Sequence, residues 1–278
     1  MPPSISSVQS LDLYLDFSSE LLDWQLSVFG REIRSVNFVM HAAFDSSGNC
    51  ASDSTLAVAG YFGYMESTWA TFSNFWPDAL RQAGIKRLHT TDYLSAHSDS
   101  TLTETETDLK VYELLRPFID VINRSGIFGI SAALDCPGYA RLSAEQKRVL
   151  GMPMVACFEL CMESIVANVG QARETQPLVI TFDLEDQLGP LYGAFRRVKK
   201  RRDFVRNLVK GICFVDDDIY HPLQAADMLA YLGQRTLKNR IGGKKEPLAM
   251  EMLRGSGRIH TGLFGYEGLI DRYSRLLP

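Results

Sequence analysis

The feature that most constrains this fold is a rhythm in which short apolar, strand-forming runs alternate with stretches of helical period. VNFVMHAAF (36–44) comes first and stops at the turn-prone Asp45-Ser46-Ser47-Gly48-Asn49. TLAVAGYFGY (55–64) follows after a short connection, so the two runs predict an antiparallel hairpin. Trp69, Phe72, Phe75, Trp76 and Leu80 then recur at three- and four-residue spacing, which predicts an amphipathic helix over 66–83 closed by Gly84. Further helices are expected at 103–125, 154–169, 191–209 and 223–237, and strands at 127–134, 178–182 and 212–215. Residues 87–93 read as a short strand or extended turn, and 18–30 as a short helix. Such alternation implies right-handed crossovers and a mostly parallel sheet with helices on both faces, made mixed by the hairpin. The chain divides into a lead-in (1–35), one α/β domain (36–237) and a tail (238–278). The tail, with Gly242, Gly243, Gly255 and Gly257, is expected to be irregular.

Hydrophobic residues make up 46% and charged residues 22% of the 278, enough apolar material for a full core. No apolar run reaches the roughly 18–20 residues that span a bilayer, and the first ten residues lack a signal-peptide pattern, so a cytoplasmic protein is expected. The five cysteines are odd in number and scattered, and none has zinc-ligand spacing. They are expected to be reduced core thiols, with no disulfide framework.

The net charge of -4 hides an asymmetry, because eight cations and one acid lie between Arg196 and Lys210. Arg196, Arg197, Lys199, Lys200, Arg201 and Arg202 form the densest part. This run is either a solvated helix face or the contact surface for an anionic partner such as nucleic acid.

Four expected strands end in an acid: Asp45, Asp135, Asp183 and Asp216. Ligands of open α/β sheets bind beyond the carboxyl ends of parallel strands, so these acids can converge on one site. Taken singly, each is also an ordinary turn or helix-cap residue. Alternation puts Asp183 and Glu185 on one side of their strand. Asp227 stands out more, since LQAADMLAYL (223–232) is apolar on nearly all sides and its main polar groups are Gln224 and Asp227. A helix of that kind is buried, and a buried carboxylate needs a cation, donors or a metal. Either an arginine partner or a metal satisfies that need. Gathered carboxylates without cysteine suit Mg²⁺ or Mn²⁺, two of which can activate water on a phosphodiester. There is no GxGxxG after a strand, no P-loop and no GxSxG elbow. His89 and His221 are isolated histidines, each as readily structural as functional.

Four segments in order, FDSSGN (44–49), GYFGYMESTWATF (60–72), His89-Thr90-Thr91-Asp92 and QAADMLA (224–230), resemble the domain-of-unknown-function 3800 proteins. The resemblance spans about residues 36–237 and implies a ribonuclease H-like fold. It further implies a metal-dependent phosphodiesterase centre on Asp45, Asp183 and Asp227, with Asp92 as a further catalytic candidate. His89, Gln224 and Glu185 are expected in support. Ser46 stands where that family has Glu, which removes an acid beside Asp45 and raises the alternative of a catalytically weakened nucleic-acid-binding module. An enzyme acting on a phosphorylated small molecule at the same metal site is a third expectation. No membrane partner is expected, and a homo-oligomer is compatible with the sequence.

Overall fold

A computed structural model of the chain describes residues 40–171, 176–183, 188–201, 206 and 208–276. The expected helix at 18–30 therefore lies outside the described residues, as do Glu185 and Arg202. The described part belongs to one compact unit, Val39–Pro278.

The hairpin forms as expected from β1 (Met40–Ser47) and β2 (Thr55–Tyr64), antiparallel with Phe44 opposite Gly60. A π-helical turn (Met65–Trp69) leads into α1 (Ala70–Ala83), which ends at Gly84 with a left-handed φ of 70°. Residues 87–93 depart from expectation, because they turn into a short helix, α2 (Thr90–Ala96). Next comes α3 (Glu104–Ser125), opened by a Thr103–Glu106 capping box. Then follow β3 (Phe128–Asp135), α4 (Cys136–Ala140), α5 (Ala144–Leu150), α6 (Pro153–Gln171) and β4 (Leu178–Asp183). The chain continues through α7 (Leu188–Arg201), β5 (Val209–Val215), α8 (His221–Ile241) and α9 (Leu248–Arg254). It ends with β6 (Ile259–Phe264) and α10 (Tyr266–Leu276).

The six strands are ordered β5-β4-β1-β2-β3-β6. The pairs β1–β2 and β2–β3 are antiparallel and the other three parallel, so β2 alone runs against the rest. This is a mixed α/β sheet with helices on both faces. The tail is not irregular, since β6 pairs with β3 from Gly129–Ile259 to Leu134–Phe264. Its glycines punctuate elements instead of breaking them: Gly243 and Gly257 take left-handed φ values of 67° and 72° just after helix ends.

The two faces of the sheet differ in kind. Phe44, Val58, Ala132 and Phe182 join a large apolar cluster with Phe158 and Cys161 of α6 and with Leu191 and Phe195 of α7. Residues one step along each strand face α8, and they are small or polar: His41, Ala43, Ala57, Ser131 and Thr181 are all buried. Small side chains let α8 lie close to the sheet. A Cβ on Gly233 would run into Ser131 Oγ.

The cysteine expectation is also overturned. Cys50 and Cys136 form a disulfide, with Cα atoms 5.2 Å apart, leaving Cys157, Cys161 and Cys213 free. The register pairs Thr55 with Asp135, and the Cys136 N–H donates to Ser54 O at 3.0 Å. The end of β3 is thereby placed beside the β1–β2 turn. Sequence spacing carries no trace of that proximity. Among the described residues no single helix is long and apolar enough to cross a membrane.

Candidate functional site

Asp45 and Asp183 follow the last parallel pair of β1 and β4, Phe44–Phe182. They are thus the next step on two adjacent strands, whose axes lie about 4.8 Å apart. Phe44 and Phe182 point into the apolar cluster, so alternation turns both acids to the α8 face. Asp45 is buried and accepts from the Ser46 N–H at 2.6 Å, and Asp183 is half-buried.

Asp227 projects from α8 and is 4% exposed. It is held by the Thr90 N–H, which donates to Oδ2 at 2.6 Å. Burial raises its pKa above the usual carboxylate value; the Thr90 bonds and the His89 charge oppose that rise, and Asp217 adds to it. Thr90 thus brings the 89–92 segment against Asp227. His89 Nδ1 lies 3.0 Å from Asp92 Oδ2, close enough for an ion pair but without hydrogen-bond alignment, and Asp92 is exposed. Gln224 is fully buried and structural in its contacts. Its Oε1 accepts from Trp76 Nε1 at 3.1 Å and from the Leu88 N–H at 3.3 Å, and its Nε2 donates to Asp217 O at 3.0 Å.

Of the other strand-end acids, Asp135 caps α4 by accepting from the Gly138 N–H at 3.0 Å. Asp216 accepts from the Asp218 N–H at 2.9 Å in a turn. Asp217, not singled out in the sequence, is a charged neighbour that helps raise the pKa of Asp227. Its own carboxyl is raised mainly by burial, against the pull of Arg87. Among the described residues, Asp216, Asp217 and Asp218 are the one group of three whose ligand atoms lie within 4.8 Å of one another. Arg87 already supplies a cation there, 3.4 Å from Asp217 and paired with Asp218. Asp45, Asp183 and Asp227 are spread more widely.

The basic run is not beside these acids. Leu191, Ala194, Phe195 and Val198 bury one side of α7 in the apolar cluster, on the face opposite α8. As a crossover between the parallel strands β4 and β5, α7 runs back toward their amino ends, carrying Arg196, Lys199, Lys200 and Arg201 away from Asp183. Arg197 is engaged in structure, since its Nε donates at 2.8 Å to Glu159, a carboxylate 1% exposed on α6. Arg272 approaches the same Glu159 at 3.6 Å.

A further buried polar chain lies under the first turn of α8. His41 Nε2 and Thr181 Oγ1 are 2.8 Å apart, and Tyr220 OH lies 3.2 Å from His41 Nδ1. Burial lowers the His41 pKa to about 3, which keeps the ring neutral. His221 starts α8 and is likewise lowered by burial, which fits a structural place.

Compared with models of known protein families, the chain matches none. The comparison with curated proteins finds no match either.

Proposed function

We propose that the chain is a Mg²⁺- or Mn²⁺-dependent phosphodiesterase acting on nucleic acid, with a ribonuclease H-like architecture akin to the domain-of-unknown-function 3800 proteins. The observation that carries this reading is the matched placement of Asp45 and Asp183 at adjacent parallel strand ends, on the face covered by the helix that holds Asp227. The strand order β5-β4-β1-β2-β3 with β2 alone reversed supports the architecture.

The donor set fits hard divalent ions, being three carboxylates without thiol or imidazole. Their ligand atoms do not all lie within 4.8 Å of one another, so they are assigned to a pair of ions and not to one. Ligands on the far sides of two ions roughly 4 Å apart stand well beyond 4.8 Å from each other. Asp45, Asp183 and Asp227 would hold the ions, which supply an activated water and stabilise the leaving oxygen. The chain's own contribution is positioning. Thr90 fixes the Asp227 carboxylate, and β-sheet register fixes the spacing of the other two. His89, beside Asp92 and partly exposed, stands next to the Thr90 that holds Asp227 and is a supporting group at the edge of the site.

Cleavage of an oligonucleotide is expected with Mn²⁺, to vanish in EDTA, and to fall at least about 100-fold in Asp45→Asn and Asp227→Asn, an order typical of lost electrostatic stabilisation. A second reading, binding without cleavage, is favoured by Ser46, which leaves no acid next to Asp45. Folded wild-type protein that binds nucleic acid but cleaves nothing with Mg²⁺, Mn²⁺ or Co²⁺ would establish that second reading. A titration showing no Mn²⁺ uptake at all would sink the metal site.

A further inference from the structure

We propose that a groove along the second half of α8 seats a single-stranded nucleic acid, its phosphates on Arg235, Lys238, Lys244 and Lys110 and one base stacked on Tyr231. This rests on the phosphodiesterase reading, and it moves strand binding away from the basic run of α7.

The direction of α8 is fixed at both ends. Tyr220, just before it, meets His41 at the start of β1. Gln234 accepts from Ser47 Oγ at 3.1 Å and donates to Thr55 O at 2.8 Å, where β1 ends and β2 begins. α8 therefore runs with β1, and its later turns lie at the carboxyl end of the strand, the end that carries Asp45 and neighbours Asp183. Two hollows of about 720 Å³ and 410 Å³ open along this stretch. Both are lined by Leu102, Thr107, Tyr231 and Arg235, so they form one groove. One end reaches Thr91, next to the Thr90 that holds Asp227; the other reaches Lys238 and Lys244.

Tyr231 stands one helical turn beyond Asp227, and Lys238 eleven residues beyond it, about 16 Å along the helix. An unstacked strand spaces its phosphates more widely than the roughly 3.4 Å per step of a duplex strand, so that length takes fewer than about five nucleotides. Arg235 is held by Asp108 at 3.5 Å and Lys244 by Glu104 at 2.8 Å. Pairs as exposed as the Lys244 one are weak, so a phosphate can replace the carboxylate. Asp53, Asp99 and Glu104 also line the groove, which makes its charge alternate instead of uniformly basic. Tyr231 is partly buried in the groove, so an unpaired base can present its face to the ring, whereas a duplex offers only edges and backbone there.

The test is fluorescence anisotropy of a labelled oligothymidylate with the full chain in EDTA, where binding is read without cleavage. The triple variant Arg235→Gln/Lys238→Gln/Lys244→Gln is expected to bind at least tenfold more weakly. It should also flatten the slope of log K against log salt by about 2, that is, three contacts at roughly 0.7 each. Tyr231→Ala should lose at least about fivefold with the salt slope unchanged. Arg196→Gln/Lys200→Gln should stay within twofold of wild type. Weakening by the α7 pair but not by the α8 triple, with melting curves matched to wild type, overturns the proposal. So does a duplex that binds as tightly as the single strand and ignores Tyr231→Ala. If the triple variant binds normally while Mn²⁺-dependent cleavage persists in wild type, the groove assignment alone falls. A wild-type chain that binds no nucleic acid removes the phosphodiesterase reading as well.

Discussion

Reduction of the Cys50–Cys136 bond offers a sharp test of how the domain is tied together. The bond closes a sequence separation of 86 residues and joins the β1–β2 turn, a few positions after Asp45, to the end of β3. In the chain-entropy account, a loop of that length lowers the unfolded-state entropy by about 2.1 + 1.5R ln 86, or about 15 cal/mol/K, which is about 4.6 kcal/mol at 25 °C. The compact unit Val39–Pro278 has 240 residues, so its unfolding entropy near the midpoint is about 0.5 kcal/mol/K. Dividing the two gives a fall in Tm of about 9 °C on reduction. Residual structure in the denatured chain makes this an upper figure. Circular dichroism melts with and without a phosphine reductant measure the difference, and Cys50→Ser/Cys136→Ser should reproduce the reduced value. Thiol titration of the denatured, unreduced protein should find three free thiols of the five cysteines. Five thiols, or a shift under about 2 °C, would refute the reasoning.

Two other outcomes bear on groups outside the candidate site. Because His41 is held neutral down to about pH 3 while an unfolded histidine titrates near 6.5, the unfolded state alone takes up a proton between those values. Stability is therefore full above pH 6.5 and is lost as pH falls, by about 2 kcal/mol at pH 5 from this group. Urea melts of His41→Asn against wild type at pH 7 and pH 5 should show a smaller pH difference in the variant; an equal difference excludes His41 as the source. Within α7, Arg197→Ala should cost about 2 kcal/mol, since it strips a partner from buried Glu159, although Arg272 remains near and Arg197 is half-exposed. Arg196→Ala should stay within about 0.5 kcal/mol in the same melts. Equal effects would place both side chains in solvent.

Much of the architecture was legible because apolar period and glycine caps act locally. The 55–64 strand and the helix start at Thr103 are read from neighbours in sequence, whereas the short helix after Asp135 was not expected. Asp227 was legible for a related reason, as a charge in an apolar helix whose burial demands a partner. What escaped depends on distant residues. IHTGLF (259–264) carries a glycine and becomes a strand only because β3 offers an open edge. The disulfide needs the Thr55–Asp135 register, and Asp217 enters the site only once β5 delivers it to the start of α8. The α8 groove likewise combines three separated segments, of which 235–245 carries five cations that were passed over for the denser run of α7 on the opposite face.

Those cations have another consequence, set by where β5 lies. Among the described residues it is the outermost strand on its side, and such a margin carries backbone donors and acceptors that another chain's strand can pair with. Lys210 is exposed on that strand, and the charges of Lys210 and Arg206 are felt by Lys199 on the adjoining helix, whose pKa is lowered first by burial and then by them. Two copies approaching edge to edge would bring these like charges together before their backbones could pair. A positive margin of this kind opposes edge-to-edge pairing of two copies through β5.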